Sequence, residues 1–137
     1  MVDDLRFHHD GVATRDLAKD LLAYELLGFR AEGPVYDDPL QCVRAQFLTL
    51  GPMRVELLEP LDETSPIHSH LKRGIKIYHH GFTCRDIGLT TERLVAGRAR
   101  VVSPPKPGIA FQNRLVSFLL LASGQLIELI EDSQFSQ

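Results

Sequence analysis

The stretch His9-Asp-Gly-Val-Ala-Thr-Arg-Asp-Leu17 returns later in the chain as His79-His-Gly-Phe-Thr-Cys-Arg-Asp-Ile87. The shared frame, H-x-G-φ-x-x-R-D-φ with φ apolar, marks an internal repeat, and a repeat constrains the whole fold before any single element is assigned. Each copy reads as a short strand that ends at an Arg-Asp turn. The aspartate is placed to accept from the first backbone amides of a helix directly after it.

Beyond each copy the parallel continues. Leu17 to Leu27 carries apolar residues at helical spacing and stops at Gly28, a site for a left-handed helix terminus; Ile87 to Val95 repeats this before Gly97. Strands are predicted at Phe29-Arg-Ala31, Gln41 to Leu50 and Met53 to Leu58, turning at Gly51-Pro52. Their counterparts are Ala99 to Val102, Arg114 to Leu121 and Gln125 to Ile130, turning at Ser123-Gly124. The final strands also match, Val55-Glu-Leu-Leu-Glu59 against Ile127-Glu-Leu-Ile-Glu131. The expected class is α+β, one domain over residues 1–137 built of two tandem βαβββ modules. They cover about 5–60 and about 75–132, joined by a polar linker, about 61–74, with one short helix near His68 to Lys72.

Strand alternation sets His9, Gly11 and Ala13 on one face of the first strand, and His79, Gly81 and Thr83 on the matching face of its counterpart. Glu56 and Glu128 occupy equal places inside apolar strands, where an ionised carboxylate is costly without a partner. Singly, a strand histidine is more often a hydrogen-bonded residue than a ligand. Histidine at one repeat-equivalent pair and glutamate at another is hard to obtain from packing alone. The expected set is therefore His9, Glu56, His79 and Glu128 around one divalent metal ion, a nitrogen-oxygen donor set open to Co, Ni, Mn, Zn, Mg or Fe. His8, His80 and Asp10 have the opposite parity. His68 and His70 fall in the linker and read as solvated, as do Glu59 and Glu131 at their strand ends. Cys42 and Cys84 lie in strand-like runs, Cys84 as a small core residue. Pro104-Pro-Lys-Pro-Gly108 reads equally as a mobile lid or a rigid connection.

Composition excludes several classes. The chain has 137 residues with 44% hydrophobic and 24% charged residues and a net charge of −3, so no basic field exists to collect phosphate backbones, and no nucleic-acid partner is expected. The longest apolar run, Val116 to Ala122, is far too short for a membrane span, and no membrane partner is expected. Two cysteines and no export signal at the start point to the cytoplasm.

The segments His9-x-Gly-Val-Ala13, Leu27-Gly-Phe29, Val55-Glu-Leu-Leu-Glu-Pro60, Tyr78-His-His-Gly-Phe82 and Gly124-Gln-Leu-Ile-Glu-Leu129 come in the order and spacing of the vicinal-oxygen-chelate superfamily (glyoxalase, bleomycin resistance, dioxygenase). The chain resembles it over nearly its full length. Gln41-Cys-Val-Arg44 with Phe47-Leu48 is most similar to the methylmalonyl-CoA epimerase-like branch. The resemblance implies a curved, partly open β-barrel-like sheet around the metal, a homodimer, and a small-molecule substrate met by Gln41, Ala45, Phe47 and Phe111. It implies a metal-dependent isomerase, epimerase or lyase that moves a proton beside a carbonyl of an acyl-thioester or glutathione-adduct-like substrate. Glu128 is the candidate base and Glu56 its counterpart. Glu56 stands where the epimerases commonly have glutamine, and Ala45 where their pattern has a catalytic carboxylate. Alternatives are a non-haem iron dioxygenase, on the triad His9, His79 and Glu128, and a metal-free antibiotic-sequestering protein; the latter fits a chain without Trp less well.

Overall fold

The structure, a computed structural model, describes residues 4–134. Among them the chain divides into two compact units, His9–Tyr78 and residues 4–8 with 79–134. Eight strands and three α-helices carry the α+β architecture predicted from the repeat.

The unit His9–Tyr78 contains most of β1 (Leu5–Ala13), then α1 (Leu17–Leu27), β2 (Arg30–Asp38), β3 (Val43–Leu50), β4 (Met53–Pro60) and α2 (Ile67–Lys72). Its strand order is β2-β3-β4-β1, with β1 parallel to β4 and the other neighbours antiparallel. Alternation along the strands feeds two clusters. Val12, Leu48, Val55 and Leu57 face Leu17 of α1 and Phe29, with Leu21 and Tyr24 packed against them. Ala13, Val43, Ala45 and Leu58 lie with Ile67 and Leu71 of α2. Leu57, Leu58 and Ile67 are each no more than 1% exposed, and burial of such a side chain stabilises by about 1.5–3 kcal/mol.

The second unit repeats the order with β5 (Ile77–Cys84), α3 (Ile87–Ala96), β6 (Arg100–Pro107), β7 (Leu115–Leu120) and β8 (Leu126–Glu131). Its strands run β6-β7-β8-β5, with β5 parallel to β8. Cys84, Ile87, Ala99, Leu119, Ile127 and Leu129 form its core, so Cys84 is the buried core residue expected. Burial pushes its thiol up to about 11. The beginning of β1 belongs to this unit: Arg85 N donates to Asp4 O (3.3 Å), and the Phe7 ring meets Phe82 edge-on at 5.8 Å.

Both helix starts are capped as predicted. Asp16 Oδ1 accepts from Lys19 N at 3.1 Å and Asp86 Oδ1 from Leu89 N at 3.0 Å. The helix ends differ. Gly28 takes the left-handed conformation (φ 105°), whereas Gly97 does not (φ −89°), and the positive φ falls one residue on, at Arg98 (75°). Arg98 N and Ala99 N still close the helix end on Val95 O and Leu94 O.

β2 and β6 run longer than predicted, because Gly33-Pro34 and Pro104-Pro105 hide strand signal. In each, the register shifts at that place, between Glu32 and Tyr36 and between Ser103 and Lys106. Proline is tolerated at such irregular, terminal strands. Pro104 to Pro107 therefore belongs to a strand rather than a lid. Cys42 is in a turn, not a strand, with φ 58°.

Candidate metal centre

The repeat places an imidazole and a carboxylate together in each unit. In the first, parallel pairing of β1 with β4 sets Gly11 opposite Glu56, and the absent Cβ of Gly11 leaves that face to the neighbouring His9. His9 Nε2 lies 3.2 Å from Glu56 Oε1, and the two residues are 0% and 5% exposed. In the second, β5 pairs with β8 so that Gly81 faces Glu128, and His79 Nε2 lies 3.3 Å from Glu128 Oε1. Phenylalanines complete the parallel: Phe47, opposite Glu56 on β3, meets the His9 ring edge-on at 5.1 Å, and Phe118, opposite Glu128 on β7, meets His79 at 5.4 Å. These aromatic contacts brace both imidazoles.

The spacing of each pair tests whether it fits a cation. Charge-assisted N–H···O⁻ bonds usually measure about 2.7–2.9 Å. Two atoms bonded to one ion at about 2.1 Å and set roughly 100° apart are about 3.2 Å from each other. At 3.2 and 3.3 Å both pairs are compatible with that spacing as well as with direct pairing of the two groups. All four side chains are buried, and the nitrogen with a carboxylate oxygen that each pair offers suits a borderline-to-hard divalent ion.

Two sets of residues escaped the sequence. Tyr36, on β2, donates its hydroxyl to Glu56 Oε2, and its ring stacks on Phe47 at 6.4 Å and 20°. No local pattern announces this bond, because it spans twenty residues of sequence. Glu59 and Glu131, expected to be solvated, are half-buried instead. Glu59 Oε1 accepts from Leu17 N at 2.8 Å and Glu131 Oε2 from Ile87 N at 3.0 Å, so each binds the first turn of its unit's helix. Their equal places in the repeat, three residues beyond Glu56 and Glu128, were the available signal.

The remaining candidates are dispersed. Gln41 Nε2 donates to Asp38 Oδ2 (3.0 Å) in the turn before β3. Ala45 is fully buried in the cluster with α2, while Phe47 lines the His9 ring. Phe111, in a 3-10 turn (Ile109–Phe111), lies against His8, which has the opposite strand parity from His9. His70 is half-buried: its ring packs edge-on against Tyr78 at 4.8 Å, and burial, aided by the charge of Arg73, lowers its pKa. His68 Nε2 bonds Asp62 O at 2.9 Å.

Among known proteins, the chain is 33% identical over 117 residues to an ethylmalonyl-CoA/methylmalonyl-CoA epimerase of Cereibacter sphaeroides, covering 83% of this chain and 87% of that one. It is 30% identical over 131 residues to the mitochondrial methylmalonyl-CoA epimerase of Dictyostelium discoideum, covering 92% and 78%. The crystal structure of methylmalonyl-CoA epimerase from Mycobacterium tuberculosis shares the fold with a TM-score of 0.80 at 28% identity, over 92% of this chain and 87% of that one. The sequence profile of one family spans residues 8–131, from the strand carrying His9 to the end of the strand carrying Glu128. By that match and these relatives, the chain belongs to the Glyoxalase/Bleomycin resistance protein/Dioxygenase superfamily.

Proposed function

We propose that this chain is a divalent-metal-dependent epimerase acting on a 2-substituted acyl-CoA thioester, with His9, Glu56, His79 and Glu128 holding one ion. The observation that carries the reading is the pair of repeat-equivalent, buried His–Glu edges at 3.2 and 3.3 Å. The relatives that act on methylmalonyl-CoA and ethylmalonyl-CoA support the substrate class.

When bound, the ion supplies Lewis-acid stabilisation of negative charge on the oxygen of a carbonyl whose α-carbon loses a proton. The protein supplies the rest. The imidazoles, packed against Phe47 and Phe118, offer ring nitrogens toward the carboxylates. Glu128 takes the α-proton from one face, and Glu56, its counterpart, delivers a proton to the opposite face, so that the configuration at C2 inverts. Ala45 is enclosed in an apolar cluster and cannot move a proton, so proton transfer falls to these two carboxylates. Of the four substrate contacts expected from the sequence, Phe47, against the His9 ring, is the one retained in this proposal.

The test is wash-in of solvent deuterium at C2 of methylmalonyl-CoA by purified protein of known metal content. Exchange should vanish on chelation and return with Co(II). Exchange indifferent to metal, or absent across a panel of 2-substituted acyl-CoA thioesters, refutes the proposal.

A further inference from the structure

The two modules place matching His–Glu pairs, yet differ at one position beside them. Strand register fixes the correspondence: Phe47 and Phe118 face Glu56 and Glu128, Tyr36 pairs with Ala45, and Lys106 pairs with Val116, which is the repeat counterpart of Ala45. Tyr36 is thus matched by Lys106, an exposed residue on β6. The phenol is a device of the first module alone.

We infer that Tyr36 is a positioning residue that makes Glu56 a single-oxygen ligand. This rests on the metal-dependent proposal for the same site. Glu56 is held at both oxygens: Oε2 accepts the Tyr36 hydroxyl, and Oε1 lies on the His9 side. A carboxylate pinned through one oxygen cannot swing to chelate with both. Tyr36 is in turn fixed by its stack on Phe47 and its packing against the cluster of Ala13, Ala45 and Leu58. Phe47 therefore serves two contacts, bracing the phenol with its face and the His9 imidazole with its edge region.

The test is Tyr36→Phe, which keeps the ring and removes only the oxygen. Apo thermal unfolding should stay close to wild type, because stacking and packing survive. Co(II) binding, followed by titration calorimetry, should weaken about 10- to 100-fold, the usual effect of losing a partner of a metal ligand. The visible Co(II) spectrum should lose intensity as Glu56 becomes free to chelate and raise the coordination number. A purely structural tyrosine would change the melting curve and leave the spectrum alone. Unchanged Co(II) affinity and spectrum in a folded Y36F protein overturn the inference.

Should the variant not fold, the wild-type protein labelled with carboxyl-13C glutamate gives the same answer by infrared difference spectroscopy on adding Co(II). A single-oxygen carboxylate band that disappears in Glu56→Gln supports the assignment, and only chelating carboxylate bands refute it. Failure of wild type to bind Co(II) at all would instead sink the metal-dependent proposal, so the two failures are distinct.

Discussion

Replacing Glu128 by glutamine separates the proton carrier from the ligand, and Glu56→Gln is its internal control. The two positions are repeat-equivalent, buried to 1% and 5% exposure, and set 3.3 and 3.2 Å from their imidazoles, so the chemical change is the same in surroundings that differ by the Tyr36 bond to Glu56. Glutamine keeps the shape and one oxygen but takes up no proton near neutral pH. Each variant should lose metal affinity, which saturating Co(II) restores. What remains is the proton-transfer contribution, about 10²- to 10⁴-fold in rate, or roughly 3–5 kcal/mol of barrier. Since Glu128 is walled by Phe118 at its register position and has almost no solvent contact, water has little room to substitute as base. At saturating Co(II), deuterium exchange in Glu128→Gln should therefore fall by that factor, and in Glu56→Gln by less than about tenfold. Exchange is read by mass spectrometry of the recovered thioester. Equal, small losses in both variants would show that neither carboxylate is the base.

Three further outcomes are expected. His79→Ala should abolish Co(II) binding by calorimetry while the far-ultraviolet circular dichroism stays native, because the core is built from apolar strand faces rather than from the ion; loss of the folded signal would mean that the site is structural. Gly108→Ala should destabilise by about 1–3 kcal/mol in a denaturant titration, since a new Cβ would sit 2.8 Å from Val116 Cγ1 and 3.2 Å from Phe111 Cδ2; a neutral effect would mean that Val116 turns aside. The folded-state pKa of His70 lies below its unfolded value, so the unfolded chain binds the extra proton first. That contribution is complete above about pH 6.5 and is lost as pH falls through that range. His70→Phe, which keeps a ring against Tyr78, should flatten the decline of melting temperature between about pH 7 and 5.5, and an unaltered slope would remove His70 as its source.

The repeat was legible because its two ends carry unusual residues at strand spacing: histidine before glycine at the start, glutamate amid leucine and isoleucine at the finish. Packing alone does not select those residues, so their recurrence exposed both the modules and the four candidate ligands. The edges of the modules were less legible. Gly33-Pro34 and Pro104-Pro105 read as breaks, yet a terminal strand accepts them by shifting register. Tyr36 could not be read at all, since its meaning depends on β2 lying beside β3 and so within reach of a carboxylate on β4. Glu59 and Glu131 look like ordinary strand-end charges until the helix amides that they bind come into view.

Those two glutamates bear on how such a molecule can change over time. In each module one short run holds the site carboxylate and, three residues on, the group that fastens the module's own helix, through Leu17 in one case and Ile87 in the other. Every part of this fastening lies within a single copy of the duplicated unit. A mutation beside one carboxylate is therefore absorbed by that copy's own scaffold, and the duplicates are free to diverge one side at a time. Tyr36, at the place that Lys106 holds in the other copy, is a difference of the kind that such one-sided change permits: symmetry kept in the frame, and asymmetry in the chemistry.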